Sequence, residues 1–224
     1  MSQQNTICNI LIKCNSAEFV TQNGIRLSPL DIEIGIGESV FILSDEDNLK
    51  NEILHFLAGF SKPVGGNIEY SSNRFKKDIC FLKNDMVYPA TVYDVVIGAE
   101  RPGLFNFSKK KEIEARVNCA LEKVGIFDCK QRKFSELSTG QKRRVMIAKE
   151  IFSQTDTVFL ECPTAGLDIM SAKCLNELLS ESGKTVIRSC ADIRDALEWA
   201  DKILYCSIDG YFFGTPAEFM SLYA

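Results

Sequence analysis

The last third of the chain alternates short apolar runs with amphipathic ones, and that alternation limits the possible folds more than any other feature. TVFLEC (157–162), TVIRSC (185–190) and KILYCSI (202–208) are of strand length and rich in β-branched or bulky apolar residues. Between and after them, SAKCLNELLSES (171–182), ADIRDALEWA (191–200) and PAEFMSLYA (216–224) carry the spacing of helices. A further helix begins near Ser138. Strands joined through helices pair in parallel, because a helical crossover carries the chain back to the end of the sheet at which the previous strand began. The pattern predicts an α/β fold with a mainly parallel sheet covered by helices.

The first third reads as strands: ICNILIKC (7–14), LDIEI (30–34), SVFIL (39–43), GGNIEY (65–70) and DICFL (78–82), bounded by polar residues or glycine. A polar loop and the helical pattern KNEILHFLAG (50–59) follow SVFIL. In the middle, TVYDVVIGAE (91–100) and KKKEIEARVNCALEKVGI (109–126) space their apolar residues three and four apart, as amphipathic helices do. RPGLFNFS (101–108) joins them as a surface connection. No internal repeat, low-complexity tract or linker divides the chain. The expectation is a single domain over 1–224, in which 1–84 and 138–224 form an α/β core and 85–137 an inserted helical subdomain.

Charge and rare residues exclude several functions. The net charge of −4 argues against a basic nucleic-acid footprint, so no nucleic-acid partner is expected. No apolar run reaches the roughly 18 residues of a spanning helix, and MSQQNTICNILIKC lacks the plan of a secretory signal, so a cytosolic chain is expected. The one histidine, His55, rules out multi-histidine zinc sites and reads as an ordinary, partly buried helix residue. The nine cysteines form no C-x-x-C pair and sit mostly in apolar runs, which suits reduced thiols serving as small core residues. No metal site of the chain's own is expected.

One stretch is more specific than the rest: LSTGQKRRVMIAKEIFSQTDTVFLECPTAGLD, residues 137–168. A Ser-x-Gly-Gln turn at a helix start presents unpaired N–H groups, a hydroxyl and the positive end of the helix dipole, which suits an anion. The same serine could instead do no more than cap its own helix. The ordered block of Leu137 to Gln141, Arg144, Ala148, Lys149, Pro163, Thr164 and Ala165 to Asp168 closely resembles the signature-to-D-loop segment of ABC-type nucleotide-binding domains. The resemblance runs the length of the chain. It implies a P-loop NTPase-type core with an antiparallel N-terminal β part and an inserted helical subdomain.

The resemblance also exposes departures. Phe19 falls about where the family stacks an aromatic ring on adenine. The family's phosphate loop, G-x-x-G-x-G-K-[ST], falls on Ser44, Asp45, Glu46, Asp47, Asn48, Leu49, Lys50 and Asn51. All three glycines are replaced, although such a loop needs positive φ and a close approach of N–H groups to phosphate. Leu49 puts a branched side chain where backbone should meet ligand, and Asn51 replaces the hydroxyl that would hold Mg. Residues 45–52 carry a net three negative charges. Two like charges about 5 Å apart repel by roughly 3 kcal/mol at an effective dielectric of about 20.

The strand-end aspartate and catalytic glutamate of the family fall on Glu161 and Cys162, and a thiol cannot serve as the carboxylate base. Glu161 could still hold a magnesium-bound water, with its carboxylate placed differently. The switch histidine falls on Ala191, and the glutamine that opens the helical lobe falls on Asn84.

By resemblance, then, this is the ATP-binding-domain subunit of an ABC transporter, with no catalytic residues of its own and an own site that is weak or empty. Ser138, Thr139, Gly140, Gln141 and Asp168 would complete, in trans, an ATP and Mg site on a second nucleotide-binding subunit with intact motifs. A groove around Asn84–Asp94 would receive a membrane permease, placing the chain peripherally on the cytoplasmic face of a membrane. Two other assignments remain open: a soluble ABC-type scaffold without a permease, and a divergent but active ATPase using Lys50 and Glu161.

Overall fold

A computed structural model describes residues 10–46, 48–71, 79–82, 88–98, 110–153 and 155–223. Asp47, Asn84 and the 101–108 connection lie outside the described residues.

Two sheets form. β1 (Ile10–Glu18), β2 (Leu30–Gly35) and β4 (Gly65–Tyr70) make an antiparallel sheet in the order β2-β1-β4. The second sheet contains β3 (Ser39–Leu43), β5 (Ile79–Leu82), β6 (Thr157–Leu160), β7 (Thr185–Ser189), β8 (Lys202–Cys206) and β9 (Tyr211–Gly214). Its order is β5-β6-β7-β3-β8-β9. The pairs β6–β7, β7–β3 and β3–β8 are parallel, and β8–β9 is an antiparallel closing hairpin. The architecture is the mixed α/β fold expected, with its antiparallel N-terminal part.

Local sequence explains most elements. In β2 the apolar Leu30, Ile32 and Ile34 are buried while Asp31 and Glu33 are exposed, the period of a half-covered antiparallel strand. β3 and β6 are apolar almost throughout because the parallel sheet is covered on both faces. β1 departs from expectation by running to Glu18. A bulge at Ser16 (φ 45°) absorbs the polar NSAE end, with the Ser16 N–H donating to Asp31 Oδ1 at 2.6 Å. Gly66 (φ 63°) sits against this bulge, where a Cβ would lie 1.9 Å from the Ser16 carbonyl oxygen. β6 ends at Leu160, so Glu161 and Cys162 stand beyond the strand, and Cys162 adopts φ 39°.

The helices are α1 (Leu49–Leu57), α2 (Val92–Ile97), α3 (Lys110–Lys123), α4 (Thr139–Phe152), α5 (Ile169–Ser180), α6 (Ile193–Trp199) and α7 (Pro216–Tyr223). Among the described residues no helix is long and apolar enough to cross a membrane.

The chain divides into two compact units, 1–81 with 156–165 and 183–224, and 82–155 with 166–182. In the first, α1 and the antiparallel sheet cover one face of the parallel sheet through Ile34, Ile42, Ile53, Leu54, Phe56 and Phe159. Phe41, Leu43, Cys190, Ala196, Ile203 and Phe219 form a second cluster with α6 and α7 on the other face. Each fully buried Leu, Ile or Phe contributes about 1.5–3 kcal/mol. In the second unit α2 and α3 pack on α4, and α5 belongs here too. The strand–helix alternation groups α4 and α5 with the parallel sheet; their packing groups them with the helical unit.

Candidate functional site

Residues 44–48 join β3 to α1 in the first unit, and the side chains of Asp45, Glu46 and Glu52 hold this loop and the start of α1. Tyr205 OH donates to Asp45 Oδ2 at 2.6 Å, and the Ile208 N–H donates to Glu46 Oε1 at 2.9 Å. Ser44 Oγ accepts from the Glu46 N–H at 3.1 Å, and Glu52 Oε2 accepts from the Gln22 N–H at 2.8 Å. Asn48 caps α1 with φ 67° and no side-chain bond, while its carbonyl takes the N–H groups of Asn51 and Glu52 at 2.9 and 3.0 Å. Leu49 is buried and Lys50 half-buried.

At the ends of β6 and β7 a second network forms. Ser189 Oγ donates to Asn51 Oδ1 at 2.6 Å and accepts from the Cys162 N–H at 3.0 Å, with Cys162 Sγ 3.4 Å away. His55 Nε2 lies 2.6 Å from Glu161 Oε1, and these side chains are only 25% and 12% exposed. The His55 ring also meets Phe60 edge-on at 5.9 Å. This pair is not apparent from sequence, which presents His55 as an ordinary helix residue. Its one available signal is spacing: His55 lies four residues after Asn51, on the same face of α1.

One expected position proves different in kind, and a second brings as little as its residue type implies. Phe19 is a core residue, 4% exposed and stacked on Phe56 with centroids 4.7 Å apart, so it offers no ring face to adenine. Covering the antiparallel sheet with α1 draws the ring inward. Ala191 lines a cavity of about 210 Å³ with Ser44, Asp45, Tyr205 and Phe219, to which it brings only a methyl group.

In the second unit Ser138 caps α4 through a capping box. Its Oγ accepts from the Gln141 N–H at 3.3 Å, and its N–H donates to Gln141 Oε1 at 3.1 Å. The N–H groups of Thr139 and Gly140 enter no hydrogen bond shown among the described residues. Asp168 caps α5, its Oδ1 accepting from the Ser171 N–H at 2.9 Å and its Oδ2 from Ser171 Oγ at 2.7 Å. These bonds, helped by the charge of Arg144, hold the Asp168 carboxyl below the usual carboxylate range.

A mainly parallel sheet with a strand-to-helix loop after β3 belongs to the first unit, and helices that carry a capped Ser-Thr-Gly-Gln turn belong to the second. The sequence pattern of the ABC transporter family matches residues 29–165. An ABC transporter ATP-binding protein of Methanosarcina mazei is 30% identical over 230 residues, covering 93% of this chain; the chain spans about half of that relative's length, 49%. The energy-coupling factor transporter ATP-binding protein of Methanocaldococcus jannaschii is 30% identical over 214 residues, 87% of this chain and 75% of that protein. The solved structure of cbiO1 from Clostridium perfringens, part of the ABC transporter complex cbiONQ, superposes with a TM-score of 0.79. It is 27% identical and the match covers 95% of this chain and 91% of that one. The chain belongs to the ABC transporter family and has the fold of its ATP-binding domains.

Proposed function

We propose that this chain is the catalytically silent ATP-binding-domain subunit of a heteromeric ABC transporter. It completes a partner subunit's ATP site in trans through Ser138, Thr139, Gly140, Gln141 and Asp168, and couples to a permease at the cytoplasmic face of a membrane. One contrast carries the reading. The chain's own phosphate-loop position is filled by acceptors already bonded inside the unit, whereas the LSTGQ turn keeps two helix-end donors for an anion from outside.

A triphosphate with Mg does not fit residues 44–51. Phosphate oxygens need N–H donors at close range, and this segment presents Asp45 and Glu46 held toward Tyr205 and Ile208. Mg needs oxygen ligands free to coordinate, but Asn51 Oδ1 is taken by Ser189 and Glu161 by His55. Cys162 has no carboxylate to act as the base. The silent half therefore works through its helix N-terminus: the Thr139 and Gly140 amides and the dipole of a 14-residue helix favour the terminal phosphate of a nucleotide held elsewhere. The relatives that are named as transporter ATP-binding proteins, and cbiO1, described as part of the ABC transporter complex cbiONQ, support an assembly with other subunits.

The test is affinity purification of the tagged chain from gently solubilised native membranes, with subunits identified and counted by mass spectrometry. We expect a permease and a second ATP-binding chain with an intact glycine-rich loop. Recovery as a soluble complex without a permease would replace this reading by a cytosolic scaffold. Mg-dependent ATP turnover by the isolated chain, abolished by Lys50→Ala, would replace it by an active ATPase.

A further inference from the structure

We propose that Arg144 and Ser171 are positioning residues for the trans site, joining the LSTGQ helix and Asp168 into one rigid piece. The inference rests on the reading that the LSTGQ turn completes a partner's ATP site.

The geometry is a directed relay within one unit. Arg144 Nη2 donates to Ser171 Oγ at 2.6 Å, and Ser171 Oγ donates to Asp168 Oδ2 at 2.7 Å. A hydroxyl has one proton and two lone pairs. Ser171 therefore spends its proton on Asp168 and receives one from Arg144, and each bond polarises the next. Both Asp168 oxygens are engaged, since Oδ1 holds the Ser171 N–H at 2.9 Å. A simple cap of α5 would need only that last bond.

Arg144 is not placed to stabilise α5 by charge, because a cation at a helix N-terminus opposes the dipole. Its guanidinium spans two elements instead. Carried by α4, it reaches Ser171 of α5 through Nη2. Residues 138–141 and Asp168 thus keep one fixed spacing, set by α4. A partner's nucleotide would meet donors and carboxylate together or not at all, and misplacement by about 1 Å costs up to roughly a hundredfold in rate.

The experiment compares four variants of this chain, each purified in the native complex: Ser138→Ala, Ser171→Ala, Ser171→Thr and Arg144→Lys. A lysine keeps the charge but not the planar, directed N–H donors of the guanidinium. We expect Ser171→Ala and Arg144→Lys to lower kcat for ATP by roughly tenfold to a hundredfold with KM within about twofold, and Ser171→Thr to restore it. Turnover retained in Ser171→Ala but lost in Ser138→Ala would overturn the relay and leave the trans site standing. Loss in Ser171→Thr equal to that in Ser171→Ala would also overturn it, since the hydroxyl would then be irrelevant. Full turnover in Ser138→Ala would overturn the trans site itself, and the relay with it.

Discussion

Asp168 divides its two carboxylate oxygens between the backbone and the hydroxyl of one residue, Ser171. Its carboxyl is held below the ordinary value of 3.8 by those bonds, so its stabilising contribution is present above the unfolded pKa and is lost as pH falls through the folded one. Asp168→Ala should therefore lower the thermal midpoint at neutral pH, and the gap to the parent should close in acid; a gap that persists there would show that the carboxylate's charge is not its cause. The thiols allow a separate test. Burial pushes Cys14 and Cys206 up to about 12 and Cys190 up to about 11. Cys119 and Cys174, by contrast, are exposed, although the sequence suits cysteines serving as small core residues. Maleimide at neutral pH, followed by peptide mapping, should label those two in the native chain and the three buried thiols only after unfolding. Rapid native labelling of Cys14 would contradict the packing of β1.

Helix α4 owes its start to four residues, Ser138 to Gln141, whose side chains satisfy two of the end amides. Ser138→Ala should cost about 1 kcal/mol in urea unfolding, while Ser138→Asp, which keeps a capping oxygen, should cost much less. A loss from the aspartate variant as large as from alanine would assign the serine some role other than capping. The β1–β4 pair depends on a different device. With a Cβ only 1.9 Å from the Ser16 carbonyl, Gly66→Ala must break the pairing beside the bulge and should cost more than about 1 kcal/mol. Equilibrium unfolding that leaves the variant as stable as its parent would sink that account. The alternation in LDIEI and the unbroken apolar run of SVFIL announce their strands, because burial on one face or two writes itself directly into residue type. The bulge at Ser16 and the early end of β6 do not announce themselves. Both follow from partners outside the segment: Asp31 for Ser16, and Ser189 for the Cys162 N–H.

The chain by itself should gain nothing from nucleotide. A ligand at a hundred times its Kd would stabilise a native site by about 2.7 kcal/mol, so millimolar Mg-ATP should leave the thermal midpoint of the purified chain unchanged. A rise of several degrees would mean that an own site survives. Family, strand and helix content, and the absence of glycine from residues 44–51 are written in local order, since backbone freedom and apolar period are properties of neighbouring residues. The chemistry at the strand ends is not. His55 and Glu161 are 106 residues apart, Asn51 and Ser189 are 138 apart, and Asp45 and Tyr205 are 160 apart. They meet because β3 inserts between β7 and β8, strands of the last third, so only the order of the sheet determines which side chains share an edge. The same holds for Phe19, aromatic in sequence and core by packing, and for Arg144, whose partner Ser171 lies 27 residues on and across a strand and a turn.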